Sequence, residues 1–200
     1  MALPNQDPLS VQHINQLLHA WIETNYVFKD DTTLINELGF YNRDPDSQVN
    51  KAFRADVVLA SDKLIGFEVK SEKDSLKRWP SQSLAYSNVF NKVWLCTHSK
   101  HLVSALSTTP KHIGILLIDD LGSIAIVRTS SANPAQNTYD LATMLWKEEL
   151  IELSKLHDIK AKTSMTKRVL RELIQDHLST EQVCEFVIKR LKVRKGTVTS

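Results

Sequence analysis

Apolar residues recur along this chain with two different periods, and each switch between them marks a new element. After Ser10, a good helix N-cap, Val11, Ile14, Leu17, Leu18, Trp21 and Ile22 follow at helical spacing. They predict a helix to about Asn25. In the stretch from Asp30 to Phe40, Leu34, Ile35 and Leu38 fit either a helix turn or a short strand. Tyr41 to Lys51 is polar, carries Pro45 between two aspartates, and reads as a loop. Phe53 to Ala60 reads as a strand, Ser61-Asp62-Lys63 as a tight turn, and Leu64 to Ser71 as the returning strand of a hairpin. Pro80 opens a helix reaching to about Asn91. Strands are expected at Lys92 to Thr97, Ile113 to Asp119 and Ser123 to Thr129, the last two joined by Asp120-Leu121-Gly122.

Ser130 to Thr138, rich in Ser, Asn, Pro and Ala, is the best linker. Beyond it the pattern is helical throughout, with basic residues gathered at Lys167, Arg168 and Arg171 and again at Lys189, Arg190, Lys192, Arg194 and Lys195. The expected fold class is α/β: a mixed central sheet flanked by helices over residues 1–130, and a helical C-terminal region over 139–195 that packs on the core or contacts DNA.

Composition narrows the class only modestly. The chain has 200 residues, 42% of them hydrophobic and 24% charged, with a formal net charge of +2. That is ordinary for a globular protein and leaves local charge clusters to decide the partner. Cys96 and Cys184 are distant and form no Cys-x-x-Cys pair, so both are read as buried thiols. Met1 to Pro8 lacks a charged-then-apolar leader pattern, and no apolar run approaches the ~18 residues of a membrane span. These observations predict a cytoplasmic protein with no membrane partner.

The chemistry concentrates in the hairpin. Side chains alternate faces along a strand, so Ile65, Phe67 and Val69 share one face while Glu68 and Lys70 share the other. With Ser61-Asp62-Lys63 as a three-residue turn, Ala60 pairs with Leu64. Counting outward then sets Asp56 opposite Glu68 and Arg54 opposite Lys70. Two carboxylates at about 5 Å repel by about 3 kcal/mol at an effective dielectric of about 20. Arg54 and Lys70 could neutralise them, as an ion-paired strand face would; a hard divalent cation between the oxygens would do so too, with the Val69 carbonyl as a third ligand.

Arg54-x-Asp56, Gly66-Phe67-Glu68-Val69-Lys70-Ser71, Asp74-Ser75-Leu76-Lys77-Arg78, and then Gln82 and Tyr86 together resemble the PD-(D/E)XK nuclease superfamily, and within it small bacterial and phage proteins. The similarity runs from about Thr33 to Gly114. It implies a restriction-endonuclease-like sheet and a metal-dependent nuclease that hydrolyses phosphodiester bonds of DNA in repair, phage biology or defence. RNA stays open as an alternative substrate. The resemblance implies that Asp56 and Glu68 bind Mg²⁺ or Mn²⁺, that Lys70 orients the attacking water, and that Glu37 completes the metal shell. Gln82 and Tyr86 match a Gln-x-x-x-Tyr signature of RecB-like nucleases. The alternative from another class is a non-catalytic DNA-binding or protein-interaction module that keeps the nuclease fold.

Around this centre, Arg54, Ser71, Lys73, Lys77, Arg78 and Tyr86 are the candidate nucleic-acid contacts. Trp79 either stacks on a base or packs on the core. His98, His101 and His112 have no metal-ligand spacing and are expected at the surface or as caps. Cutting both strands with one small site needs a homodimer or two encounters.

Overall fold

The computed structural model describes residues 9–196 apart from residue 45. Met1 to Pro8, read above for a leader pattern, and Pro45 lie outside the described residues. Six strands form one sheet in sequence order: β1 (Thr33–Arg43), β2 (Asn50–Ala60), β3 (Leu64–Lys70), β4 (Lys92–His98), β5 (Gly114–Ile118) and β6 (Ile124–Arg128). β1–β2 and β2–β3 pair antiparallel, β3–β4 and β4–β5 pair parallel, and β6 returns antiparallel to β5. The parallel steps need crossovers, supplied by α2 (Trp79–Val89) and α3 (Leu102–Thr108).

One face of the sheet is covered by α1 (Val11–Asn25), whose Ile14, Leu18 and Ile22 pack against Ile65, Phe67 and Val69 of β3. Ser10 caps α1, its hydroxyl accepting from the His13 N–H. The other face carries α2, α3 and four more helices: α4 (Thr138–Leu141), α5 (Lys147–Leu156), α6 (Lys167–His177) and α7 (Thr180–Gly196). These helices share one apolar cluster with the sheet, in which Leu145, Leu150, Leu170 and Val187 meet Phe40, Leu64 and Phe90. β3 therefore has both faces covered, and all seven of its residues are buried.

The segment from Asp30 to Phe40 resolves as strand, and the polar stretch after it is mostly strand too. β1 runs to Arg43 and β2 starts at Asn50, leaving a loop of residues 44–49. Asp44 closes that loop by accepting from the backbone N–H groups of Asp46 and Ser47. The polar residues here alternate along two strands whose far ends project beyond β3, so their composition resembles a loop.

Candidate active site

The hairpin register follows the three-residue turn: Ala60 pairs with Leu64, then Leu59 with Ile65, Val58 with Gly66 and Val57 with Phe67. There the ladder stops, one step short of the expected Asp56–Glu68 pair. Asp56 Oδ2 instead accepts the Val69 N–H at 2.7 Å, so a side chain replaces the backbone partner and ends the pairing. The expected Arg54–Lys70 pairing is also absent. Arg54 turns outward to Glu37, at 3.4 Å.

Glu68 is the centre of the site and is 2% exposed. Lys70 Nζ donates to its Oε1 at 2.5 Å, and Gln82 Nε2 donates to the same oxygen at 2.7 Å. Tyr86 Oη donates to Oε2 at 2.5 Å. Strand alternation puts Lys70 beside Glu68, and helical spacing stacks Gln82 under Tyr86 on the α2 face that packs against β3. Burying an ion pair is unfavourable unless further hydrogen bonds satisfy it; these donors supply that compensation. Gln82 Oε1 is buried and has no hydrogen-bond partner among the described residues.

Asp56 joins the group from β2. Burial, and then the negative charge of Glu68, push its carboxyl up to about 6, against the opposing pull of the Val69 N–H, Lys70 and Arg54. The Tyr86 hydroxyl is raised well above its usual value, first by burial and then by Glu68 and Asp56, and so stays a donor. A cleft of about 470 Å³ opens over these residues; Arg54, Asp56, Glu68, Lys70, Arg78 and Gln82 line it.

The structure thus brings Asp56, Glu68, Lys70 and Gln82 together and corrects several neighbours. Val69 lines the cleft and fixes Asp56 through its N–H. Glu37 sits on β1 with a positive φ of 54°, its side chain 64% exposed and ion-paired to Arg54, outside the cleft lining. Among the described residues, no group of three or more His, Cys, Asp or Glu is placed to hold one metal ion. Tyr86 is fully buried against Glu68 and offers nothing to a nucleic acid. Ser71 is buried as well, its N–H and hydroxyl both given to Asp74 Oδ2 at 2.8 and 2.5 Å. Trp79 packs in the core with its Nε1–H donated to Thr109 Oγ1 at 2.9 Å. Arg54, Lys73, Lys77 and Arg78 remain exposed near the cleft.

Asp74, at the head of the Asp74 to Arg78 run, has no role in the sequence reading. It pins the turn that follows Lys70, and the polar Ser71-x-x-Asp74 spacing was its available signal. The three histidines each have a local partner: His98 bonds Asp120, His101 the Ser71 carbonyl, and His112 the Ser87 hydroxyl.

Comparison with known proteins adds the lineage. The family described as Bacteriophage P4 protein cII matches residues 9–199, nearly the whole chain. The chain belongs to the bacteriophage P4 protein cII family. Within the cII family, Protein cII of Enterobacteria phage P4 is 26% identical over 189 residues, covering 93% of this chain and 68% of that protein. Among solved structures, a protein of unknown function from Silicibacter pomeroyi aligns over 77% of this chain and 94% of its own, at 15% identity and a TM-score of 0.42. The cII-family match runs through the sheet and the C-terminal helices alike. Among the described residues, no helix is long and apolar enough to cross a membrane.

Proposed function

We propose that this cII-family chain is a metal-dependent nuclease of PD-(D/E)XK type, hydrolysing phosphodiester bonds of DNA. The observation that carries the reading is the convergence of Asp56, Glu68 and Lys70 at one cleft, with Gln82 and Tyr86 steering Glu68 from the next helix. Burial, and then the neighbouring charge of Glu68, raise the Asp56 carboxyl, an arrangement unfavourable for folding alone.

The donor set fits a hard cation. Asp56, Glu68 and the unpartnered Gln82 Oε1 are all oxygen ligands, which suits Mg²⁺ or Mn²⁺ over softer metals. When bound, the ion would supply a water of lowered pKa and polarise a phosphoryl oxygen. The protein's own residues do the rest. Tyr86 and Gln82 hold the Glu68 carboxylate in one orientation. The Val69 N–H anchors Asp56 through Oδ2 at the cleft wall. Lys70 keeps an ammonium beside the carboxylates, where it can orient the attacking water and offset charge at phosphorus. Arg54 and Arg78 at the cleft, with Lys73 and Lys77 nearby, suit a phosphate backbone.

A second reading is a non-catalytic DNA-binding or protein-interaction module on the same sheet. The observation in its favour is that Glu68 already accepts from Lys70, Gln82 and Tyr86, so an incoming ion must displace Lys70. Plasmid cleavage with Mg²⁺, Mn²⁺ or EDTA separates the two. The nuclease reading expects metal-dependent cutting by the wild type, and losses of at least ~100-fold in Glu68→Gln and Lys70→Ala. Clean DNA binding by folded wild type without cutting in either metal leaves the module. Cutting unchanged in both variants ends the assignment of these residues.

A further inference from the structure

The two basic stretches of the C-terminal region are not equivalent in the fold. Along α7, Arg190 pairs with Glu152, Lys192 with Asp31 at 2.8 Å and Arg194 with Glu149, so the protein's own acids neutralise that cluster. The turn between α5 and α6 is different. From Lys155 to Arg168 it carries five lysines and arginines against one acid, Asp158. Lys155, Lys160, Lys162 and Lys167 are exposed, and among the described residues none of them makes an ion pair. The segment is also fixed. Ile159 is buried, and Ala161 and Met165 pack on the same apolar cluster, so alternation turns Lys160 and Lys162 outward. The Met165 N–H closes a turn onto the Lys162 carbonyl at 3.0 Å, and Thr166 caps α6 by accepting the Val169 N–H. Behind this surface, acids are scarce. Arg43 and Arg168 share one oxygen, Glu172 Oε1, at 3.0 and 3.1 Å. Arg171 is 6% exposed and has no carboxylate partner among the described residues; its Nε is unpartnered and its Nη2 reaches the Thr143 carbonyl at 3.5 Å. A guanidinium buried this way has its charge uncompensated, and an anion beside Lys167, one helical turn away, offsets it.

We propose that this turn and the first turn of α6 bind the sugar-phosphate backbone of duplex DNA whose neighbouring segment lies in the Asp56–Glu68 cleft. The Arg168–Glu172–Arg43 chain ties the start of α6 to the end of β1, where Arg43 pairs with Asn50 of β2. From Asn50, β2 leads to Arg54 and Asp56 at the cleft. Those six strand steps of ~3.3 Å span about 20 Å, which duplex DNA covers in about six base pairs at ~3.4 Å each. That continuity favours a nucleic acid over a separate small anion, because one polymer reaches both surfaces and carries phosphates all along its length. The inference rests on the nuclease reading for where the DNA lies, and its test reads binding apart from cutting.

Fluorescence anisotropy with the full chain in EDTA tests it, using a duplex of about 20 base pairs so that both surfaces are reached. The wild type is expected to bind with strong salt dependence. The variant carrying Lys160→Ala, Lys162→Ala and Lys167→Ala is expected to bind at least ~10-fold more weakly, and its slope of log affinity against log salt to be smaller by about 2–3, since each phosphate contact contributes about 0.9. Lys29→Ala, Lys63→Ala and Lys189→Ala remove the same charge beside the β2–β3 turn, at the end of the sheet away from the cleft. That second variant is expected to change the slope by less than ~1. Circular dichroism checks that each fold is kept. Should the first variant unfold, Lys162→Ala alone decides, with an expected slope change of about 1. A wild type that does not bind, equal losses in the two triple variants or an unchanged slope overturns the proposal. So does full competition by millimolar inorganic phosphate at matched ionic strength, which marks a small-anion site. A patch variant that binds and cuts like wild type removes this surface and leaves the nuclease reading. Binding lost with the patch, in a wild type that never cuts in Mg²⁺ or Mn²⁺, does the reverse.

Discussion

Asp56 is half-buried beside Glu68, and among the described residues its carboxylate accepts from the Val69 N–H. Its folded value of about 6 lies above the ordinary 3.8. The native state therefore holds the proton more tightly than the unfolded chain, and stability falls as pH rises from about 4 to about 6, then levels. Asparagine keeps an acceptor for the Val69 N–H and removes the charge. Asp56→Asn is thus expected to be more stable than wild type by about 1–3 kcal/mol at pH 7–8 and equal to it near pH 4. Thermal melts across that range measure this directly. On the nuclease reading, added Mg²⁺ also raises the wild-type melting temperature at pH 7–8 and leaves the asparagine variant unmoved. At this scale the sequence was legible wherever spacing is local. Alternation joined Glu68 to Lys70, and a helix turn joined Gln82 to Tyr86. It was silent where a role depends on what packs against the residue. Tyr86 and Ser71 look like surface groups beside a basic run, and Trp79 could stack on a base or pack on the core, yet all three are buried, and Glu37 turns outward on a left-handed backbone step.

Elements were read best where burial imposes one period. β3, the β5–β6 hairpin and α1 stand near their expected bounds. β1 was ambiguous because Asn36, Glu37 and Gly39 interrupt its apolar residues, and only the pairing with β2 settles the segment as strand. α3 was not anticipated: Leu102–Thr108 is barely two turns, and only Ala105 is buried. The joint between β1 and α4 has its own predicted weakness. Asp140 is 3% exposed and accepts from Asn42 Nδ2 at 2.7 Å, the Arg43 N–H at 2.9 Å and Asn88 Nδ2 at 3.1 Å. Its carboxyl is raised by burial despite those donors. Asp140→Ala leaves three donors without this acceptor and is expected to cost about 2–4 kcal/mol in urea unfolding, since buried groups that lose their partner bear the full desolvation penalty. A loss under about 0.5 kcal/mol would show that this network does not tie the helices to the sheet.

For the molecule as a whole, the sheet separates two apolar clusters. α1 closes one, and every other helix closes the second. The C-terminal helices look like an appendage in sequence because the Ser130 to Thr138 stretch reads as a linker. In the fold they supply much of the core that Phe40, Leu64 and Phe90 need. That distinction cannot be seen from periodicity, which reports a buried stripe and not the surface it meets. β3 runs between the two clusters with all seven of its residues buried, and it carries Glu68 and Lys70. Amide protons along such a strand leave for solvent only when the entire domain opens, whereas those at frayed ends and loops escape through small local fluctuations. Native-state deuterium uptake should therefore be slowest from Gly66 to Val69 and should follow the global unfolding free energy as denaturant is added. The carboxylate centre would then be as long-lived as the domain itself, with no melted form of the site on an intact scaffold.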